Sequence, residues 1–153
     1  KPAVGLYVLQ DILGEELFKK CLAAYIETWR GKHPTPLDFF YHVNQTSQQN
    51  LNWFWKPWFF ENASPDLGIE KLEKITKDSY QITIKKTGEL PVPLDLTVIY
   101  KDQTTQNIHY SAAVWKENDS KTIIVKTTKQ IQKIVLGNDY IPDTNSKDNY
   151  WKN

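Results

Sequence analysis

The 153-residue sequence contains one cysteine, three histidines and no methionine. Each scarcity removes a class of chemistry. A lone Cys21 can form neither an internal disulfide nor a Cys-rich zinc site. His33, His42 and His109 have no histidine partner four residues away and no following glutamate, so the chain holds no H-E-x-x-H zinc helix. Six scattered glycines supply no phosphate-cradling loop and no G-x-S-x-G elbow. No apolar run approaches the ~20 residues of a membrane span, and no signal-peptide pattern opens the chain. Charge of either sign is not in excess: 19 basic against 18 acidic residues leave +1, which argues against nucleic-acid or membrane-surface binding by bulk charge. A natural reading frame starts with methionine, whereas this one starts with Lys1, so the chain reads as a processed or excised piece. What is present is globular in balance, 40% hydrophobic and 24% charged. Its 17.9 kDa suit one ordinary domain or two small ones.

The composition changes near residue 61. Thirteen of the twenty aromatic residues lie in the first sixty positions, and the remainder is rich in Lys, Thr, Ile and Val in alternation. The expectation is an α+β chain: a four-helix segment over 1–62, an antiparallel β-sandwich over 66–138, and a C-terminal tail, 139–153, packing on the sandwich. Residues Ala3 to Leu13 are apolar on nearly all sides, which predicts a buried first helix, with Gly14 as its left-handed cap. Glu15 and Glu16 then suit the first turn of a second helix. Leu17, Phe18, Cys21, Leu22, Tyr25, Ile26 and Trp29 form one stripe on it at a period near 3.6, and Gly31 stops it. Thr35-Pro36-Leu37-Asp38 is a helix start with a variant capping box. Phe39, Phe40 and Val43 are its buried side, and 45–49 a polar connection. Asn50 caps a short helix over 51–56, which Pro57 ends or kinks.

Beyond residue 66 the period becomes two. Strands are predicted at 67–75, 80–86, 94–100, 106–114, 122–126 and 131–136, separated by turn residues such as Lys77-Asp78 and Thr87-Gly88-Glu89. Short strands at this spacing point to a small antiparallel sandwich.

The search for chemistry returns mostly structural readings. Cys21 sits inside an apolar stripe, where a buried inert thiol is expected rather than a nucleophile. His33 lies in a Lys-His-Pro turn, and His42 and His109 read as ordinary, partly exposed residues. Asp143 to Asn149 has calcium-loop spacing at first sight. It puts Lys at the fifth position and has neither the Gly at the sixth nor the Glu at the twelfth, which excludes that loop. The sequons at Asn44, Asn62 and Asn118 are close to chance for this composition. No catalytic and no metal residue is assigned. The conspicuous feature is a structural aromatic cluster, Trp53, Phe54, Trp55, Trp58 and Phe59. Such rings can form a platform for sugars or bases. Packing is the better reading, because each ring buries ~150–250 Å² and only Lys56 is basic nearby.

Several blocks in order resemble the zinc aminopeptidases of the gluzincin class, the alanyl-aminopeptidase-like family. They are Lys1-Pro2-Ala3, Leu13-Gly14-Glu15-Glu16-Leu17-Phe18, Tyr25 and Trp29, then Lys32-His33-Pro34-Thr35-Pro36-Leu37-Asp38-Phe39-Phe40, and Leu51-Asn52-Trp53-Phe54-Trp55 with Trp58-Phe59. These cover the helical end of the family's thermolysin-like domain over residues 1–60. Residues 66–153, with Ile141-Pro142-Asp143 and Asn149-Tyr150-Trp151, are similar to the β-sandwich that follows. The resemblance implies a parent metallopeptidase in which zinc-activated water attacks a peptide carbonyl, a glutamate acts as general base and a tyrosine stabilises the oxyanion. All those residues would precede Lys1. The fragment itself is then an inactive scaffold that binds no zinc, its partners being the peptide substrate of the parent and the remainder of its own catalytic domain. No nucleic-acid partner and no membrane span is implied, and the compartment, cytoplasmic or periplasmic/secreted, stays open. The alternatives are a non-catalytic β-sandwich binding module with an aromatic platform, and a family relative that has lost catalysis.

Overall fold

In the computed structural model, which describes residues 2–152, the chain divides into two compact units, Lys1–Glu61 and Asn62–Asn153. Lys1, the start of the first resembling block, lies outside the described residues. The architecture is α+β: four helices, then two antiparallel sheets.

Helix α1 (Pro2–Leu13) begins at a proline, where a missing N–H breaks no intrahelical bond. Only Gly5, Val8 and Leu9 are buried in it, while Leu6 and Tyr7 are exposed. The expected all-round burial is therefore wrong, because no described element covers the second side. Gly14 has the expected positive φ, 77°, but a ψ of 156° places it in an extended rather than left-handed conformation. It joins α1 directly to α2 (Glu15–Trp29). Along the stripe of α2 only Cys21 is fully buried, and Ile26 is exposed. Thr35 caps α3 (Pro36–Ser47) with the reciprocal capping box in place, and Phe40 and Val43 face inward. This helix runs through Gln45, Thr46 and Ser47, where the polar composition predicts a connection. It ends where Gln48 turns left-handed, at φ 55°. Helix α4 (Asn52–Trp55) is led in by Asn50, whose Oδ1 accepts from the Asn52 N–H at 3.0 Å. Pro57 does not terminate it. Proline cannot donate to the carbonyl four residues back, and the backbone widens into a π-helical turn, Lys56–Phe60.

In the second unit, β1 (Leu67–Thr76), β2 (Ser79–Lys86) and β5 (Ser120–Lys126) form a three-stranded sheet in the order β1-β2-β5. Strands β3 (Leu94–Tyr100), β4 (Thr105–Tyr110), β6 (Ile131–Leu136) and β7 (Tyr150–Lys152) form the other, in the order β4-β3-β6-β7. Period-two alternation fixes which face is buried. Leu94, Leu96, Val98 and Tyr100 of β3 point inward with Ile134 and Leu136 of β6. Ile82 and Ile84 of β2 and Ile123 and Val125 of β5 do the same in the first sheet.

One prediction fails in this unit. The strand expected over 106–114 stops at Tyr110, and Ala112–Trp115 form a 3-10 turn. That turn buries Trp115, whose Nε1–H donates to the Val92 carbonyl at 2.8 Å. The polar tail also contains β7, whose Tyr150 pairs with Val135 and Trp151 with Ile134. One glycine is dictated by space. A Cβ on Gly88 would stand 2.3 Å from the Ser64 carbonyl oxygen and 2.5 Å from the Asp66 nitrogen.

Candidate functional site

The aromatic segment lies beside a groove in the helical unit. Alternation between α4 and the π-helical turn sends Phe54, Trp55 and Trp58 fully inside and leaves Trp53 and Phe59 half-buried. Trp55 is the hub. Its ring centroid lies 4.6 Å from Phe40 of α3, 5.2 Å from Phe54 and 5.8 Å from Phe59. Phe54 meets Trp58 at 5.7 Å and Trp53 at 6.0 Å. These separations lie within the 4.5–7 Å range of favourable ring pairs.

A single amide fixes this arrangement. Asn44 Oδ1 accepts from Trp55 Nε1–H at 2.8 Å and from the Leu51 N–H at 3.3 Å, while its Nδ2 donates to Asn52 Oδ1 at 3.1 Å. Sequence reasoning met Asn44 only as a chance sequon. The signal was its spacing, eleven residues before Trp55, which no local pattern exposes.

Outside this core the rings open onto a groove of about 220 Å³ lined by Leu37, Phe40, Tyr41, Trp55, Lys56 and Phe60. Leu37, Tyr41 and Phe60 are exposed on it, at 46%, 67% and 58%. Lys56 is held 3.2 Å from Glu61. An adjoining shallow depression is lined by amides, among them Gln45, Gln48 and Gln49. The groove therefore offers aromatic and polar surface together, including the Asn52 amide and one ion-paired cation. It can pack against another surface, but it holds no nucleophile and no acid–base pair.

The remaining sequence candidates are dispersed. Cys21 is buried, and burial pushes its thiol up while Lys20 opposes the shift, which disfavours the thiolate. Asp38 is held below the usual carboxylate range by the Thr35 hydroxyl and then by the Thr35 N–H, a consequence of the capping box. His33 is exposed in its turn. His42 packs edge-on to Tyr25 at 5.7 Å, with Nε2 buried and without a hydrogen-bond partner. His109 stands directly across from Asp95 in the β3–β4 register, Nδ1 to Oδ1 2.6 Å, and Asn138 Nδ2 donates to the other carboxylate oxygen. That pair was invisible in the sequence because it depends on strand register. Among the described residues, no three His, Cys, Asp or Glu side chains are grouped as a metal ion requires. The donors present do not fit a zinc centre. Among the described residues, no helix is long and apolar enough to cross a membrane.

Helices rich in buried aromatics followed by two antiparallel sheets define the class to which the chain compares. No family model matches the sequence, and no curated protein does. The chain is similar in structure to Legionella pneumophila aminopeptidase A, solved in complex with aspartic acid. The TM-score is 0.67 at 17% identity, over 88% of this chain and 16% of that one. This likeness shows a shared fold, and the chain spans about a sixth of the aminopeptidase's length.

Proposed function

We propose that this chain is the C-terminal part of a zinc-dependent aminopeptidase of the gluzincin, alanyl-aminopeptidase-like family, comprising the helical end of its thermolysin-like domain and the β-sandwich that follows. The observation that carries the reading is the structural likeness to an aminopeptidase along 88% of the chain despite 17% identity. The ordered blocks from Leu13-Gly14-Glu15-Glu16 to Trp58-Phe59 support it independently. On this reading the parent hydrolyses N-terminal residues from peptides, and zinc belongs to residues outside this chain. The chain itself supplies scaffold.

The exposed surface of the helical unit supports that assignment. Leu6, Tyr7, Ile26, Leu37, Tyr41 and Phe60 are all large, apolar or aromatic, and exposed. Of these, Leu37, Tyr41 and Phe60 share one groove, and a segment that packs against the remainder of its own domain would present such residues. Cys21 and the aromatic cluster serve packing, and no residue here takes part in chemistry.

The decisive experiment reads the coding sequence immediately upstream of Lys1. An H-E-x-x-H motif, a glutamate about 18 residues further on and a tyrosine just before Lys1 are expected. A complete upstream sequence without them overturns the reading. The purified chain, dialysed and tested with aminoacyl-nitroanilides, should carry no stoichiometric zinc and release no product. Saturable binding of a glycan or peptide to the groove by the chain alone would favour the interaction-module alternative instead.

A further inference from the structure

The residues after β6 cross from one sheet to the other, and the crossing is acidic. On the side of the three-stranded sheet, Thr144 donates through both N–H and Oγ1 to the Pro65 carbonyl, at 3.0 and 2.9 Å. The Leu67 N–H donates to Asp143 Oδ2 at 3.1 Å, and the Ile69 N–H donates to the Asp148 carbonyl at 2.9 Å. One residue later the chain changes sheets. The Leu136 N–H donates to the Asn149 carbonyl at 2.8 Å, and β7 pairs with β6. The segment thus fastens β1 to β6 by bonds to both.

At the point of change the Asp148 carboxyl lies against the backbone of β1 at Gly68. A Cβ on Gly68 would stand 2.9 Å from Asp148 Oδ2, so glycine is what leaves room for it. Oδ2 accepts from Asn145 Nδ2 at 2.8 Å. Oδ1 is buried without a hydrogen-bond partner, and so is Asp66 Oδ1 on the strand's lead-in. An ionised oxygen in that setting is costly, whereas a protonated carboxyl needs fewer partners.

We propose that the 143–149 crossing is a proton-operated clasp: protonation of Asp148 tightens the C-terminal segment onto β1, and ionisation loosens it. The charged groups that act on Asp148 are Asp66, from the lead into β1, and Asp143, from its own segment; Lys147, beside it in sequence, is exposed. Desolvation pushes the Asp148 pKa up first, and repulsion from Asp66 and then Asp143 pushes it further, while its hydrogen bonds oppose the shift. A carboxyl whose folded pKa exceeds its unfolded value contributes stability that is complete below the unfolded value, ~3.9, and is lost as the pH rises through the folded one. The clasp is therefore tighter in acid than at neutrality. This reading stands apart from the aminopeptidase assignment and survives its failure.

Amide hydrogen exchange on the full chain tests it, with intrinsic rates corrected, from about pH 7 down to about pH 3.5, below the ordinary carboxylate value. The Leu67, Ile69 and Leu136 amides should gain protection several-fold as the pH falls, while amides of β3 change little. Asp148→Asn keeps the shape and removes the charge. It should show the acid level of protection already at neutral pH and lose the pH response. Wild type and Asp148→Asn responding alike to pH would overturn the proposal. Millimolar calcium restoring wild-type protection at neutral pH would also overturn it, because a metal rather than a proton would then be the neutralising ligand.

Discussion

Replacing Asn44 with alanine tests whether the aromatic core is fixed by one amide. The substitution leaves two donors behind: the indole N–H of Trp55, a residue only 3% exposed, and the backbone N–H of Leu51, 1% exposed. The bond to Trp55 is 2.8 Å and the bond to Leu51 3.3 Å, so the first carries more of the interaction. A buried donor stripped of its acceptor costs about 1–3 kcal/mol. With one strong and one long bond lost, the expected destabilisation is about 2–4 kcal/mol, a large share of the ~5–15 kcal/mol that holds a domain. Asn44→Asp separates acceptor from donor. It keeps Oδ1 and gives up only the Nδ2 bond to exposed Asn52, so it should cost about 1 kcal/mol or less. The assay is equilibrium unfolding in urea followed by tryptophan fluorescence, in which Trp29, Trp53, Trp55 and Trp58 report on this unit and Trp115 and Trp151 on the other. A cost for Asn44→Ala within about 0.5 kcal/mol, or equal costs for the two variants, would refute the reasoning.

Gly88→Ala should destabilise the second unit by about 1–3 kcal/mol or more, because the atoms in its way are backbone and the loop bonds from Gly88 to Asp66 and from Leu90 to Ser64 must give. Thermal melting should rank it below Gly31→Ala, which meets open space and carries only the strain of a φ of 71°. Trp115→Phe removes the donor to the buried Val92 carbonyl and should cost about 1–3 kcal/mol in denaturant titration, with the near-ultraviolet dichroism of the other tryptophans unchanged.

Local rules carried the sequence reading a long way. The Thr35–Asp38 box, the period-two runs of β2, β3, β5 and β6, and the change of composition near residue 61 are short-range signals, and each element stands where those signals put it. The errors share a cause in long-range contacts. Trp115 leaves a strand-like run because its indole finds a carbonyl 23 residues earlier, and β7 exists only because β6 offers it an edge. Gln45 to Ser47 look like a linker by composition, yet the helix continues through them, and Ser47 is buried. The candidate site was legible as an aromatic run. Its organiser, Asn44, was not, since the partners of an amide cannot be read from spacing. The approach of Asp66 to Asp143 and Asp148 was equally hidden, because Asp66 stands far earlier in the chain.

The strand Tyr150–Lys152 is three residues long, yet it decides what the four-stranded sheet presents to its surroundings. Without it, the outer edge would be β6, whose Ile131, Ile134 and Leu136 are buried and whose backbone groups opposite β7 would be left without a partner. An apolar strand with a bare edge is a template for pairing with another copy of the same chain. The strand that covers it is too short to recruit a neighbour, ends in Lys152, and carries Tyr150 against the ammonium of Lys133 at 4.9 Å. A C-terminal truncation of a few residues therefore exposes an adhesive edge, and its first symptom in solution should be self-association rather than unfolding.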